Sequence, residues 1–270
     1  MKRQLYTLGL IALQYGCVSM LARPASAQIS PSLAKIKQSN VLPIVFNNDN
    51  APNGFDSQGR PRSRTSGGSR GTCSELVVAL LPGSDTLTST DAVTECNTAS
   101  TSHLAATLET NPTLWFHIPA PVAADTTAEL VLLDNNQQVL SSNVVTLPAK
   151  GGIIGLRLDY PLETGAIYSW IFSVLNQPNS PSQNPTVEGR LQRIAAHPEL
   201  SDALATQDTP SQIRALAHHG IWHDALHELA LLYREDSSNV EIQTHWFALL
   251  DSVGLESIAQ EPLADCCFKN

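Results

Sequence analysis

Positive charge is scarce in this chain: 16 lysines and arginines stand against 25 aspartates and glutamates in 270 residues. A body with that balance repels phosphodiester backbones and anionic headgroups, which excludes nucleic acid as a partner and argues against acidic membranes. Other absences are as informative. No Cys-x-x-Cys pair is present for structural zinc, and no Gly-x-Ser-x-Gly elbow for a serine hydrolase. No Walker lysine follows Gly67-Gly68, so that glycine pair is a linker feature and not a phosphate cradle. No cofactor motif is present, and none is expected.

The N-terminus reads as an address. Lys2 and Arg3 precede an apolar run from Leu5 to Leu21, and Ala25-Ser26-Ala27 forms a small-residue cleavage site before Gln28. Gln14 and Ser19 interrupt the run, which is short for a membrane span. Residues 1–27 are therefore expected to be a signal peptide cut after Ala27, placing the protein in the periplasm or on the cell surface with no integral span. Arg23, between the apolar core and the cut, leaves uncleaved retention open.

Beyond the cut the charge is uneven: net +4 over 28–72, then −8 over 73–200 and −8 over 201–270. Residues 28–72 are rich in Asn, Ser, Gly, Pro and Arg, and offer little apolar surface to offset the entropy of ordering. They read as a disordered linker, except for Val41-Leu42-Pro43-Ile44-Val45-Phe46, a patch able to dock on the body. Four cysteines remain after processing: Cys73, Cys96, Cys266 and Cys267. Two disulfides with three connectivities are possible in an oxidising compartment. Cys73 with Cys96 is the first choice, since neighbouring cysteines such as Cys266 and Cys267 rarely bond each other.

Residues 73–196 read as short strands separated by turn residues. Runs at Leu76–Leu81, Thr113–Ile118, Glu129–Leu133, Gln138–Leu147, Ile153–Leu158, Ile167–Leu175 and Thr186–Ile194 are bounded by proline, glycine or Asp134-Asn135-Asn136-Gln137. No amphipathic helix intervenes, which argues for an antiparallel β-sandwich. Gly165 three residues before Tyr168 resembles the tyrosine corner of immunoglobulin-like sandwiches. Tyr168, Trp170, Phe172 and Val174 alternate onto one face and are read as core.

Residues 197–265 switch to helical spacing, with 266–270 as a tail. Helices are expected at Pro210–His219, with Thr209 as a possible N-cap, at Trp222–Glu235, and at Val240–Val253. Gly220 breaks the first from the second. Trp222, Ala225, Leu226 and Leu229 form one apolar stripe. Gly220-x-Trp222-x-x-Ala225-Leu226 also looks like the start of a tetratricopeptide-like helical hairpin. The fold class expected is therefore α+β, a sandwich followed by a small helical module.

One spacing hints at chemistry. His223 and His227 lie four apart with Asp224 between them, one methylene short of the zinc-hydrolase pattern His-Glu-x-x-His. A metal there would need a third ligand, from His219, His245 or Glu228. Against this, the histidines flank the apolar stripe and read as surface residues of a packing helix. A third reading, carbohydrate binding through sandwich aromatics, requires Trp115 or Trp170 to be exposed.

Several phrases together resemble one family: Gly67-Gly68-Ser69-Arg70-Gly71-x-Cys73, Pro112-Thr113-Leu114-Trp115-Phe116 and Leu132-Leu133-Asp134. Further along come Tyr168-x-Trp170-x-Phe172-Ser173-Val174, Val187-Glu188-Gly189-x-Leu191-Gln192-Arg193 and Gly220-Ile221-Trp222-x-Asp224-Ala225-Leu226. The last is Trp246-x-x-Leu249-Leu250-x-Ser252-Val253-Gly254-Leu255. In order, from about Gly67 to Leu263, they resemble the exported cyanobacterial family of the domain of unknown function 928. The resemblance implies an envelope location and supplies no activity. Leu175 stands where that family carries a cysteine, and His223 where it carries an aromatic residue. The expectation is a non-enzymatic binding or assembly module engaging an envelope protein, with partners on the helical groove and sandwich loops. Purified protein should then hold no stoichiometric zinc, and His223→Ala should not change its metal content. One zinc per chain, lost in that variant, would establish the hydrolase reading instead.

Overall fold

A computed structural model describes residues 42–47, 49, 77–82, 104–177, 179–264, 266 and 267. The expected signal peptide and the expected Cys73–Cys96 bridge lie outside the described residues. Among the described residues there are eight strands: β1 (Val78–Ala79), β2 (Leu104–Thr107), β3 (Thr113–Ile118), β4 (Thr127–Leu133), β5 (Val139–Thr146), β6 (Gly152–Arg157), β7 (Ile167–Leu175) and β8 (Thr186–Arg193). Four α-helices follow: α1 (Pro198–Thr206), α2 (Thr209–His218), α3 (Trp222–Glu235) and α4 (Val240–Asp251). The class is mixed α+β with a sandwich-like β-rich core.

The strands form two sheets, ordered β1-β3-β6 and β2-β8-β7-β4-β5. Phe116 on β3 meets β7 of the other sheet, stacking on Phe172 at 4.1 Å and meeting Trp170 edge-on at 5.4 Å. Alternation on β7 puts Tyr168, Trp170, Phe172 and Val174 inward, as their spacing predicts. The Tyr168 hydroxyl accepts a 3.0 Å hydrogen bond from the Glu163 amide, pinning the chain as it enters β7. At the β4–β5 hairpin, the Asp134 carboxylate accepts from the Asn136 and Gln138 amides, and Gln137 takes the left-handed conformation.

One pairing departs from an antiparallel sandwich. β2 runs parallel to β8, Leu104 opposite Arg190 through Thr107 opposite Arg193, so the larger sheet is mixed. β2 is absent from the expected strand set. Its Leu-Ala-Ala-Thr is buried on every side and has no alternation to reveal it.

The helical segment also has one element more than expected. Pro198 opens α1, a position where proline costs no hydrogen bond. Asp208, not Thr209, caps α2, its carboxylate accepting from the Ser211 amide at 2.9 Å. α2 ends where Gly220 adopts φ 74°, with the Ile221 amide bonding to the Leu216 carbonyl and the Gly220 amide to Ala217. That pairing satisfies two orphan carbonyls and turns the chain into α3.

The helices and sheets share one buried cluster. Trp222 of α3 donates its indole N–H to the Leu80 carbonyl, just past β1, at 2.8 Å. Within the expected linker, the segment 42–47 is docked on the helices. Ile44 and Phe46 are buried, Phe46 meets Trp222 edge-on at 5.0 Å, and Asn47 donates to the Ala217 carbonyl. Part of the helical surface assigned to partners is thus covered by the chain itself. At the other end, Cys266 and Cys267 are bonded to each other, contrary to expectation. Cys267 enters the left-handed region at φ 72°, and that backbone turn brings the two neighbouring side chains together. The pair packs on the core near the Thr146 carbonyl. No helix among the described residues is long and apolar enough to cross a membrane.

Gly189 shows how tightly the sheets close. A Cβ there would lie 2.3 Å from the Trp170 ring and 2.9 Å from Leu81. Gly189→Ala should destabilise by roughly 1–3 kcal/mol, an overpacking cost, measured as a shift in the urea midpoint at constant slope.

Candidate functional site

α3 enters the fold with its whole first turn buried. The apolar stripe of Trp222, Ala225, Leu226 and Leu229 faces sheets and neighbouring helices as the periodicity predicts, but His223 and Asp224 are buried as well. The expectation that His223 lies on the surface is wrong; it is 2% exposed. The periodicity argument assumes one buried face, whereas this turn is wedged between the end of β2, strand β3 and helix α2, so its flanks are covered too. His227, one turn on, is half-buried, with its ring 6.0 Å from that of Trp115.

The Asp224 carboxylate caps the end of β2. It accepts from the Leu108 amide at 3.1 and 3.3 Å and from the Thr107 hydroxyl. The Leu108 carbonyl in turn accepts from Arg193 Nε at 3.0 Å, while Arg193 Nη1 reaches the Leu162 carbonyl. Polar residues from two of the sequence phrases, Asp224 and Arg193, thus hold the two peptide groups that flank the Leu108 Cα.

Beside this clamp opens a cleft of ≈ 370 Å³ between the sheet end and helices α1 to α3. Leu108, Pro112, Leu204, Ile213 and Leu216 give it apolar walls. Its polar lining is His223, Asp224, His227 and Glu228 from α3, Thr209 and Gln212 from α2, and Thr113, Glu109, Asn111 and Arg157 from the sheet side. The last three drew no attention in the sequence. Glu109 follows a strand with no alternation, and nothing in the sequence spacing connects Arg157 to α3.

Environment sets the charge of each group. Burial pushes the His223 imidazole down to about 3, so it is neutral, and neither ring nitrogen has a hydrogen-bond partner among the described residues. Burial pushes Asp224 up to about 7, against the lowering effect of the Thr107 and Leu108 bonds and with a smaller push from Glu109. His227 is lowered by burial and then by Arg157 and Arg234, and its Nδ1 is unpartnered. Glu228 stands at the rim, where lost hydration and then Glu109 raise its carboxyl.

The remaining histidines named with this pair lie elsewhere. His219 shares a 3.0 Å hydrogen bond with His197, in a separate hollow between the start of α1 and the end of α2. His245 is buried on α4, 3.8 Å from Glu241. Glu228 lines the same cleft as His223 and His227, but among the described residues no three His, Cys, Asp or Glu side chains form a metal-holding group. Among the described residues of the lining there is no serine or cysteine. Trp115 and Trp170, the rings a sandwich carbohydrate site would need, are 2% and 1% exposed. Tyr168, Gly220, Trp222, Ala225 and Trp246 all hold packing or turning positions. Trp246 stacks on Tyr233 and donates to the Ala259 carbonyl.

Fold and site together define a β-rich α+β protein whose covering helices enclose a small cleft around a neutral histidine. The chain belongs to the family described as Domain of Unknown Function (DUF928), whose model matches residues 65–263. A comparison with curated proteins finds no match. Among solved structures, two of the Parabacteroides merdae β-glucuronidase, one with glycerol in its active site, are similar at 11% and 10% identity. They cover 41% and 54% of this chain but only 21% and 25% of the enzyme, with TM-scores of 0.20 and 0.22. A likeness of that extent says nothing of activity.

The neighbouring His223 and Asp224 carry opposite pH linkages. The folded state keeps a proton on Asp224 that the unfolded chain loses above 3.8, so this group's stabilisation declines as pH rises to about 7. His223 refuses, down to about 3, a proton the unfolded chain takes below 6.5, so its contribution is lost as pH falls. Between 3.8 and 6.5 the two slopes cancel. Asp224→Asn should therefore make stability rise with pH in that window, by about 1.4 kcal/mol per unit relative to wild type, and His223→Leu should make it fall by as much. Urea titrations at pH 4.5, 5.5 and 6.5 measure both.

Proposed function

We propose that this chain is an exported, non-enzymatic binding module of the cell envelope, and that the cleft beside α3 receives part of a protein partner. The observation that carries the reading is His223, whose two ring nitrogens are buried in the cleft wall without partners. Leaving such groups unpaired costs roughly 1–3 kcal/mol each, a cost compatible with a binding surface and hard to explain as packing alone. The cleft has the size and mixed lining of a side-chain-binding site, and the clamp at Leu108 makes it rigid.

Export rests on the leader-like residues 1–27 with the cut after Ala27, which puts the mature chain in the periplasm or on the surface of a cyanobacterial cell. The sandwich is of the immunoglobulin-like kind, supported by the Tyr168 bond to the Glu163 amide. The helices form a single tetratricopeptide-like hairpin with α1 as an added cover. With segment 42–47 docked on the helices, partner contact moves to the cleft.

A photoreactive side chain at Thr209, exposed on the cleft rim, should crosslink the protein to one discrete envelope protein in intact cells. The same group at Asn136, on the distant β4–β5 turn, should not. Equal adducts at both positions, or none at Thr209, would overturn the reading.

A further inference from the structure

The cleft has a polarity of its own. Glu109 and Glu228 stand at one side of the mouth, with Asp224 deeper in the wall. Glu109 acts on both of the other carboxyls. Arg157, the one cation among the described residues of the lining, acts on His227 and is not among the causes that shift Asp224 or Glu228. His223 lies between the acidic rim and the apolar wall, buried, neutral and unpartnered.

We propose, building on the binding reading above, that the cleft receives a guanidinium or primary ammonium group, supplied by an arginine or lysine side chain of the protein partner. Three features fit such a group and no other common one. The two rim carboxylates supply paired acceptors for a forked or tripodal donor. A neutral imidazole offers an acceptor nitrogen to an N–H donor and does not repel its charge. The walls of Leu204, Ile213 and Leu216 match the aliphatic stem of a long cationic side chain, which buries its methylenes while the head meets polar groups. An anion would have to approach Glu109 and Glu228, and only Arg157 would attract it. The surroundings agree with this choice: residues 73–200 and 201–270 each carry a net charge of −8, so the whole body draws basic partners toward it.

The test uses the full mature chain with histidine rings labelled for NMR. The probes are methylguanidinium, butylammonium, acetate, acetamide and a blocked Gly-Arg-Gly peptide. The two cations and the peptide should shift the His223 and His227 ring signals saturably, whereas acetate and acetamide should not. The peptide should bind about tenfold more tightly than methylguanidinium, because it adds stem and backbone contacts. Glu109→Gln combined with Glu228→Gln should weaken peptide binding by about tenfold or more, with circular dichroism unchanged because both residues are exposed. Affinity should also drop from pH 7.5 to 5 as Asp224 and Glu228, both raised by burial, take up protons; any charge gained by His227, which burial holds below its usual range, adds to the loss.

Each other outcome overturns the inference in a distinguishable way. If acetate or acetamide shifts His223 as strongly as the cations, the cleft remains a binding site and its cation preference is wrong. If methylguanidinium binds as tightly as the peptide, the source is a free amine or guanidine and not a protein side chain. If no probe shifts His223, both this inference and the cleft reading fail.

Discussion

The bond from the Leu108 amide to the Asp224 carboxylate fixes how the helices sit on the sheets. Among the described residues, β2 is a four-residue strand at the edge of the larger sheet, paired in parallel to β8. Asp224 takes the amide that follows it and Arg193 takes the carbonyl, so the chain leaving β2 cannot drift. Asp224 reaches Leu108 because Trp222, two residues earlier, anchors α3 to the Leu80 carbonyl on the other sheet. One helical turn therefore binds the end of each sheet. The cleft exists because α3 is held at that angle, with α1 and α2 closing its far wall.

That arrangement explains how so small a set of helices gains a core. Here the apolar stripe of α3 is completed by β2 and β3 on one side and by α2 and α4 on the other. The segment 42–47 closes what remains: Phe46 covers Trp222, and its amide bonds to the Ser252 hydroxyl past the end of α4. Arg214 of α2 holds the Leu42 carbonyl. The segment 42–47 thus covers helix surface that would otherwise face water.

How far all this was legible in the sequence depends on what kind of signal each element carries. β3 and β7 stand where expected, because proline brackets the first and bulky alternation marks the second. α3 has its expected limits for a similar reason, a glycine-led start and an unbroken apolar stripe. β2 and α1 were invisible: one has no alternation, and the other begins with a residue that usually stops helices. The candidate site was half legible. His223, Asp224 and His227 attracted attention through spacing that resembles a metal motif, and they do line one cleft. Their burial was not readable, since helical periodicity reports the face toward one neighbour and α3 has several. Glu109 and Arg157 lie 114 and 66 residues before His223 and carry no mark of the cleft: one follows an unmarked strand and the other ends an ordinary one.

The direction of the two large titration shifts bears on what the buried turn is for. Had His223 and Asp224 formed an ion pair, the imidazole would be raised and the carboxyl lowered. Both instead move toward their neutral forms. Consecutive residues on a helix point about 100° apart, so Asp224 turns to the Leu108 amide while His223 turns to the cleft. Burial then acts on each side chain separately and discharges it. The wall of the cleft is consequently polar, with His223 neutral and Asp224 changing charge around neutral pH, while Glu109, Glu228 and Arg157 stand at the rim. A site built this way selects by charge at its mouth and by hydrogen bonding at its depth. That division suits recognition of a partner group that carries its charge at one end of an apolar stem.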